Sequence, residues 1–243
     1  MASRLRQKLS KGIFSLTHPA CWPALLRRVA PGIEHRELLA GLDCDLLLDV
    51  GANRGQFSLI ARIVHPRLRI HAFEPQPGEA AVYREIFGGD GSVTLHEFAL
   101  GDQPGEADLH LSQRRDSSSL LPIGELQEKL FPSTGEVGTH RVKVVTLDSQ
   151  SPLWRESNRI LLKLDVQGFE LGVLRGAREA LRQCAYVYAE CSEIPLYTGQ
   201  ALYPEVAAFL AGEGFQPLQR INEQFDQGRL IQADHLFGRT PGR

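Results

Sequence analysis

Three segments of the chain hold residues whose types and spacing could do chemistry. The first is DVGANRG (49–55), where Gly51 and Gly55 bracket a tight loop around Asn53. Glycine lets a backbone take positive φ or come close to a ligand. A helix beginning near Gln56 would present unsatisfied N–H groups to whatever lies in front of it. The second is Glu74, which closes the next strand 25 residues after Asp49. In open α/β sheets an acid at this place reaches the hydroxyls of a bound ribose and disfavours a ribose phosphate. The third is KLDVQGFE (163–170), with Lys163, Asp165, Gln167 and Glu170. Strand alternation puts Lys163 and Asp165 on one face, opposite Leu162 and Leu164. Asp165 then emerges at the carboxyl edge, where open sheets bind ligands.

The loop admits few ligands. The dinucleotide fingerprint G-x-G-x-x-G is absent, because Ala52, Asn53 and Arg54 follow Gly51 before the next glycine, and no Walker GK[ST] occurs. Asp49 suits a cationic or zwitterionic ligand such as S-adenosylmethionine, whose amino group and sulfonium are positive. The competing reading is an ordinary strand–turn–helix junction, which Glu74 makes the lesser one.

The elements that must position these groups follow a β–α rhythm. Short apolar runs at 45–50, 69–75, 92–100, 160–166 and 185–191 read as strands, with helical patterns at 56–64, 79–87, 169–182 and 203–211 between them. Such runs hide both faces in a sheet covered by helices on each side. Segments 105–111 and 142–148 read as further strands. Residues 113–140 form the least regular part, a lid or a loop. Segments 215–221 and 230–239 pair antiparallel across Gly228. Residues 1–40 read as a basic helical extension, broken at Pro23 and Pro31. Its leading role is a cap over a sheet edge or cleft, and its minor one is contact with an anionic membrane surface. Residues 41–243 form one domain.

Composition narrows the class. With 243 residues, 27 basic and 29 acidic, the chain fits one substantial α/β domain and makes no electrostatic demand for nucleic acid. No run approaches a membrane span, and the first 30 residues lack a clear signal peptide. Cys21, Cys44, Cys184 and Cys191 form no CxxC pair and read as reduced cytosolic thiols, which points to a cytoplasmic protein.

The chain resembles the FkbM family of S-adenosylmethionine-dependent methyltransferases. The similarity lies in LLLDVGANRGQFSL (46–59), IHAFEPQPG (70–78), HEFALGDQPGEADLHL (96–111), VVTLD (144–148) and LLKLDVQGFELGVLRGA (161–177), with AEC (189–191) and ADHLF (233–237). The resemblance implies a three-layer, Rossmann-like class I methyltransferase fold with a seven-stranded mixed sheet of order 3-2-1-4-5-7-6. It also implies O-methylation of a hydroxyl on a sugar, glycolipid or secondary metabolite. S-adenosylmethionine would be held by Asp49, Gly51, Asn53, Gly55 and Glu74, with Ala99 and Leu100 walling the adenine. Rival readings are a nucleic-acid or protein methyltransferase and a non-catalytic nucleoside-binding protein. No base-flipping motif or aromatic-and-basic stripe supports the first.

Methyl transfer to an alcohol requires alignment of oxygen, methyl and sulfur and removal of one proton. Asp165 is the leading base or orienting group, although an ordinary carboxylate is a weak base for an alcohol. Lys163 pairs with a carboxylate nearby. Glu190 ends the next strand and could share the site, and Asp165 with Glu190 could hold a divalent ion, a reading not favoured. His140, after the irregular insert, is the alternative base. His96 and His235 read as structural. Glu170 reads either as a site residue or as a helix N-terminal acid. Ser117, Ser118 and Ser119 are candidates for substrate contact, and Arg114 and Arg115 for an anionic acceptor.

Overall fold

The computed structural model describes residues 12 and 14–240. The five apolar runs become the central strands. β1 (Leu46–Val50) leads into α3 (Gln56–Val64), then β2 (Arg69–Phe73), α4 (Pro77–Phe87) and β3 (Val93–His96). Before them lie α1 (Trp22–Leu26) and α2 (Arg36–Ala40). After the insert come β7 (Ile160–Leu164), α6 (Glu170–Arg175), α7 (Arg178–Leu181), β8 (Cys184–Ser192), α8 (Tyr203–Gly212), β9 (Phe215–Asp226) and β10 (Arg229–Arg239). The seven-stranded sheet has the order β3-β2-β1-β7-β8-β10-β9, and β10 runs antiparallel to both neighbours. This is the mixed sheet of a class I methyltransferase.

β1 and β7 are buried along their whole length, as strands covered on both faces must be. Leu46, Leu48, Ile160 and Leu162 pack toward α6, α7 and α8, while Leu47 and Leu161 pack toward α2 and α3. Two charged residues interrupt these runs, Asp49 and Lys163, and the register sets them side by side.

The middle of the chain departs from expectation in two places. The run at 92–100 is not one strand. Glu97 and Phe98 break it, so that β3 stays in the main sheet and β4 (Ala99–Leu100) joins a second, three-stranded sheet. Its partners are β5 (Gly105–Ser112) and β6 (Glu136–Val145), in the order β4-β6-β5. Residues 136–140, expected to be irregular, therefore belong to β6, and α5 (Glu125–Leu130) lies within the excursion between β5 and β6. β5 and β6 form a hairpin arm whose polar face alternates with Leu109, Val142 and Val144.

The described part of the N-terminal extension shares the domain's core. Cys21, Ala24 and Val29 pack with Tyr83 and Phe87, and Leu38 and Leu39 pack with Phe57 and Ile60. Residues 1–11 and 13 lie outside the described residues.

Asp148, the acid of VVTLD, is a structural cap. Its carboxylate accepts hydrogen bonds from the backbone N–H groups of Glu179, at 3.1 Å, and Ala180, at 3.0 Å. It thus supplies α7 with acceptors that the helix's own preceding residue, Ala177, cannot. Asp148→Ala should lower stability by about 1–2 kcal/mol in urea denaturation while leaving adenosylhomocysteine affinity unchanged. A loss of affinity without a loss of stability would place Asp148 in the site instead.

Candidate functional site

At the carboxyl edge of β1, β2 and β7 lies a cleft of about 1060 Å³. Its floor is built from the two tight loops that the sequence singled out. Gly51 has φ of 74°, and a Cβ on it would fall 1.9 Å from the carbonyl oxygen of Asp165. Only glycine allows the β1 and β7 loops to abut in this way. Asn53, at φ 49°, lines the cleft with Ala52.

Glu74 sits under this loop and fastens it. One carboxylate oxygen accepts the Asn53 N–H and the other the Gln76 N–H, each at 2.8 Å. Burial pushes its pKa up to about 7, against the pull of these two bonds. Each oxygen keeps a further lone pair, and Glu74 lines the cleft. Phe98, Ala99, Leu100 and Phe169 give an apolar wall beside it. The residues present thus fit S-adenosylmethionine: an acid for the ribose diol, an apolar slot for the base and a glycine loop for the methionine end.

Three expected contacts lie elsewhere. Asp49 does not line the cleft. It is sealed beneath the loop, where its oxygens meet Lys163 Nζ at 2.9 Å and Ser58 Oγ at 2.6 Å, so a bound cation has no access to it. Gly55 faces inward, its missing Cβ making room for Phe87 and Tyr83. His140 is exposed on β6, opposite Leu109, and takes no part in the cleft lining. The hairpin arm carries it away.

Lys163 is committed to structure. Besides Asp49, its ammonium donates to the Gly51 carbonyl at 2.8 Å and lies 3.7 Å from Asp165. Burial alone would lower its pKa, but Asp49 and Asp165 outweigh burial and raise it. Lys163 therefore stays charged and locks β1 to β7, positioning the loop rather than exchanging protons.

Asp165 is the partly exposed acid of the cleft. The Gln167 amide joins it to Glu190, its Nε2 donating to both carboxyl groups at 2.8 Å. That amide fills the place between them that a shared cation would need. Among the described residues no group of three or more His, Cys, Asp or Glu could hold a metal. Glu190 also accepts from Gln232 at 2.9 Å. Burial first, then the charges of Asp165, Asp234 and Glu170, push it well above the ordinary carboxylate range.

Glu170 clamps the loop from within. One of its oxygens accepts the N–H groups of Val166 at 3.2 Å and Gly168 at 3.1 Å. The insert closes one side: Ser119 Oγ donates to the Gln167 carbonyl at 2.7 Å, and Gln76 Nε2 donates to the Arg115 carbonyl at 3.0 Å. Ser117 and Ser119 are buried, and Ser118 and Ser119 reach the lining. Arg114 and Arg115 stand on the rim, Arg115 paired with Glu79 at 3.1 Å. His96 stacks on Phe73 and His235 on Tyr203, and neither lines the cleft.

Sequence reasoning missed His35, Tyr188, Asn222 and Asp234, which also line the cleft. A usable signal existed for Tyr188 alone, since a tyrosine inside an apolar strand needs a partner for its hydroxyl.

A family model described as the methyltransferase FkbM domain matches residues 49–217. The 2-O-methyltransferase NoeI of Sinorhizobium fredii is 28% identical over 240 residues, 88% of this chain and 92% of that protein. The 31-O-demethyl-FK506 methyltransferase FkbM of Streptomyces tacrolimicus is 28% identical over 201 residues, 70% and 72% of the two chains. A precorrin-6y C5,15-methyltransferase structure from Geobacter metallireducens superposes with a TM-score of 0.46 at 13% identity, covering 84% of this chain and 87% of that one.

Two predictions follow from the site's electrostatics. Lys163→Met should cost about 3–5 kcal/mol in urea denaturation, because it strands Asp49 without its counter-charge. Adding Asp49→Asn should recover part of that loss, and additive losses would dismiss the coupling. The second concerns Glu170, whose pKa burial raises from 4.5 to about 7. A raised acid gives stability that is full below its unfolded pKa and lost as pH climbs through its folded one. Between pH 5 and 8 the native protein should therefore lose more stability than Glu170→Gln. Parallel pH curves would show that Glu170 does not titrate in this window.

Proposed function

Because the chain belongs to the FkbM methyltransferase family and is an S-adenosylmethionine-dependent methyltransferase, we propose that it methylates a hydroxyl oxygen of a sugar, glycolipid or secondary metabolite. The observation that carries this is the polar rim of the cleft beside Asp165. Gln167, Glu190, Asn222, Arg114 and Arg115 all line the cleft and offer donors and acceptors to a hydroxyl-rich ligand. Both named relatives support the direction, one called a 2-O-methyltransferase and the other a methyltransferase of 31-O-demethyl-FK506.

When bound, the cofactor supplies a methyl group activated by a good leaving group. The chain's own residues do the rest. Glu74 accepts the ribose hydroxyls, while Asn53 and Gly51 shape the loop along the methionine end. Ala99 and Leu100, with Phe98 and Phe169, exclude water from the base. Asp165, held by Gln167 and near Lys163, orients the acceptor and sets its line of attack. Glu190, which lines the same cleft, is a further hydrogen-bonding group for the acceptor.

Gly32, Glu34 and His35 of the N-terminal extension line the cleft, ahead of the methyltransferase domain at 41–243. Among the described residues no helix is long and apolar enough to cross a membrane. A cytoplasmic location is supported by four cysteines that are all free thiols.

Incubation with methyl-labelled cofactor and fractionated cell extract tests the acceptor class. Label should enter small hydroxylated molecules or glycans. Label confined to protein or nucleic acid would refute the proposal. For the cofactor, Glu74→Ala should weaken adenosylhomocysteine binding by about 1–3 kcal/mol in calorimetry, the scale of hydrogen bonds to a charged acceptor. Unchanged affinity would free Glu74 from the ribose.

A further inference from the structure

A chain of hydrogen bonds crosses the cleft wall from β10 to the N-terminal extension. Tyr188 Oη lies 2.7 Å from Asp234 Oδ2 and 2.9 Å from His35 Nδ1. Asn222 Nδ2 donates to the same Asp234 oxygen at 2.6 Å and lies 3.4 Å from His35 Nδ1. His35 is held between aromatic rings, with its centroid 5.1 Å from that of Phe57 and 5.6 Å from that of Tyr188. His35, Tyr188, Asn222 and Asp234 line the same cleft as Asp165.

The shortest contacts around His35 favour one imidazole tautomer. Two donors converge on one oxygen of Asp234, which suits an ionised carboxylate, an acceptor only. Tyr188 must then give its single proton to Asp234. Its oxygen, 2.9 Å from Nδ1, can offer His35 only a lone pair; the Asn222 amide, a donor 3.4 Å away that already bonds Asp234, is the longer and weaker contact, so the closer bond puts the ring proton on Nδ1 and leaves the free pair on Nε2. Gly32 lies along that edge: a Cβ there would stand 2.8 Å from His35 Cδ2 and 3.5 Å from Nε2. The glycine leaves the ring edge clear, and Gly32 itself lines the cleft.

We propose that His35 is the general base of the methyl transfer, with Tyr188 and Asp234 as positioning residues. The proposal rests on the O-methylation reading above. The acceptor oxygen bonds to the methyl carbon, the carbon–sulfur bond breaks with its electron pair left on sulfur, and the hydroxyl proton passes to His35 Nε2. The products are the methyl ether, neutral adenosylhomocysteine and an imidazolium, which returns its proton to water. Asp165, already engaged by Gln167 and near Lys163, orients the hydroxyl.

The groups around the ring keep it neutral before reaction. Burial lowers its pKa, Asp234 and Glu34 raise it, Lys163 lowers it and Asp165 raises it, with a net downward shift. Burial raises the Tyr188 hydroxyl far above its ordinary value, so it remains protonated. Burial also raises Asp234, against Asn222, His35 and Tyr188, which favour its ionised form.

The test uses the full chain, labelled with 15N-histidine and saturated with adenosylhomocysteine, with the His35 resonance assigned by His35→Gln. Two-bond proton–nitrogen spectra at neutral pH should show a neutral ring protonated on Nδ1, and Tyr188→Phe should move it toward the Nε2–H form. An Nε2–H ring in the native protein, or one indifferent to Tyr188→Phe, overturns the proposal. In turnover, His35→Gln should lower kcat by about 10²-fold or more with cofactor KM changed less than about threefold. Tyr188→Phe should lower kcat by about tenfold and displace the acid limb of the pH–rate profile. An unchanged kcat in His35→Gln, or a loss of adenosylhomocysteine affinity matching the loss of kcat, overturns it. Methylation of nitrogen or carbon by the native enzyme would overturn the O-methylation reading while leaving the tautomer result standing. An Nε2–H ring in an enzyme that does methylate oxygen defeats His35 alone.

Discussion

The buried contact between Lys163 and Asp49 holds the cleft together. The two charges sit side by side on neighbouring parallel strands, 2.9 Å apart, in the middle of the sheet. Neither could stay there alone, since an unpaired ion in a dry interior costs several kcal/mol. Pairing sets the stagger of β1 against β7. The second bond of Lys163, to the Gly51 carbonyl, then pulls the loop after β1 over the ion pair. The residue with the right charge for a sulfonium or an amine thus becomes part of the foundation, and the ligand is left to the loop above it.

That loop is shaped from both sides. From below, Lys163 draws in its carbonyl. From the β2 side, Glu74 takes the Asn53 N–H. From the β7 side, the Asp165 carbonyl comes so close that no side chain fits at Gly51. The loop after β7 is equally constrained, with Gln167 at φ 53° and Gly168 at φ 95°. Glu170 holds its amides, and the Gln167 side chain ties Asp165 to Glu190 and lies 2.8 Å from the Tyr197 hydroxyl. Strain of this kind persists where the surroundings over-determine it. Here it fixes two carboxyl groups at the mouth of a cleft, where alignment of an acceptor oxygen depends on them.

The walls come from parts of the chain remote in sequence. The excursion between β5 and β6 is stitched to the loops at 76 and 167 through Gln76 and Ser119. The N-terminal segment is stitched to β8 and β10 through His35. Closing the site on both sides reduces water near the acids, and this burial is what raises Glu74, Glu170 and Glu190 together.

The sequence by itself determined the layers and the edge on which the site lies. Apolar runs of strand length, alternating with helical patterns, can be buried in few other ways, and this is local information. The glycine loop, the acid closing β2 and the acid beyond β7 were legible for the same reason, since each is placed by the end of a strand. Side-chain partners were not. Asp49 reads as a ligand contact until Lys163 is seen beside it, and the carboxylate that Lys163 was expected to meet is not identified as Asp49 until the two strands are in register. His140 reads as a base until the hairpin arm carries it outward. The run at 92–100 reads as one strand because periodicity does not record a change of sheet. His35 and Tyr188 stand 153 positions apart, with no pattern in either segment to announce the other. Only the packing of the N-terminal turn against β8 and β10 brings them together, because that packing buries polar groups whose hydrogen bonds must then be met by one another.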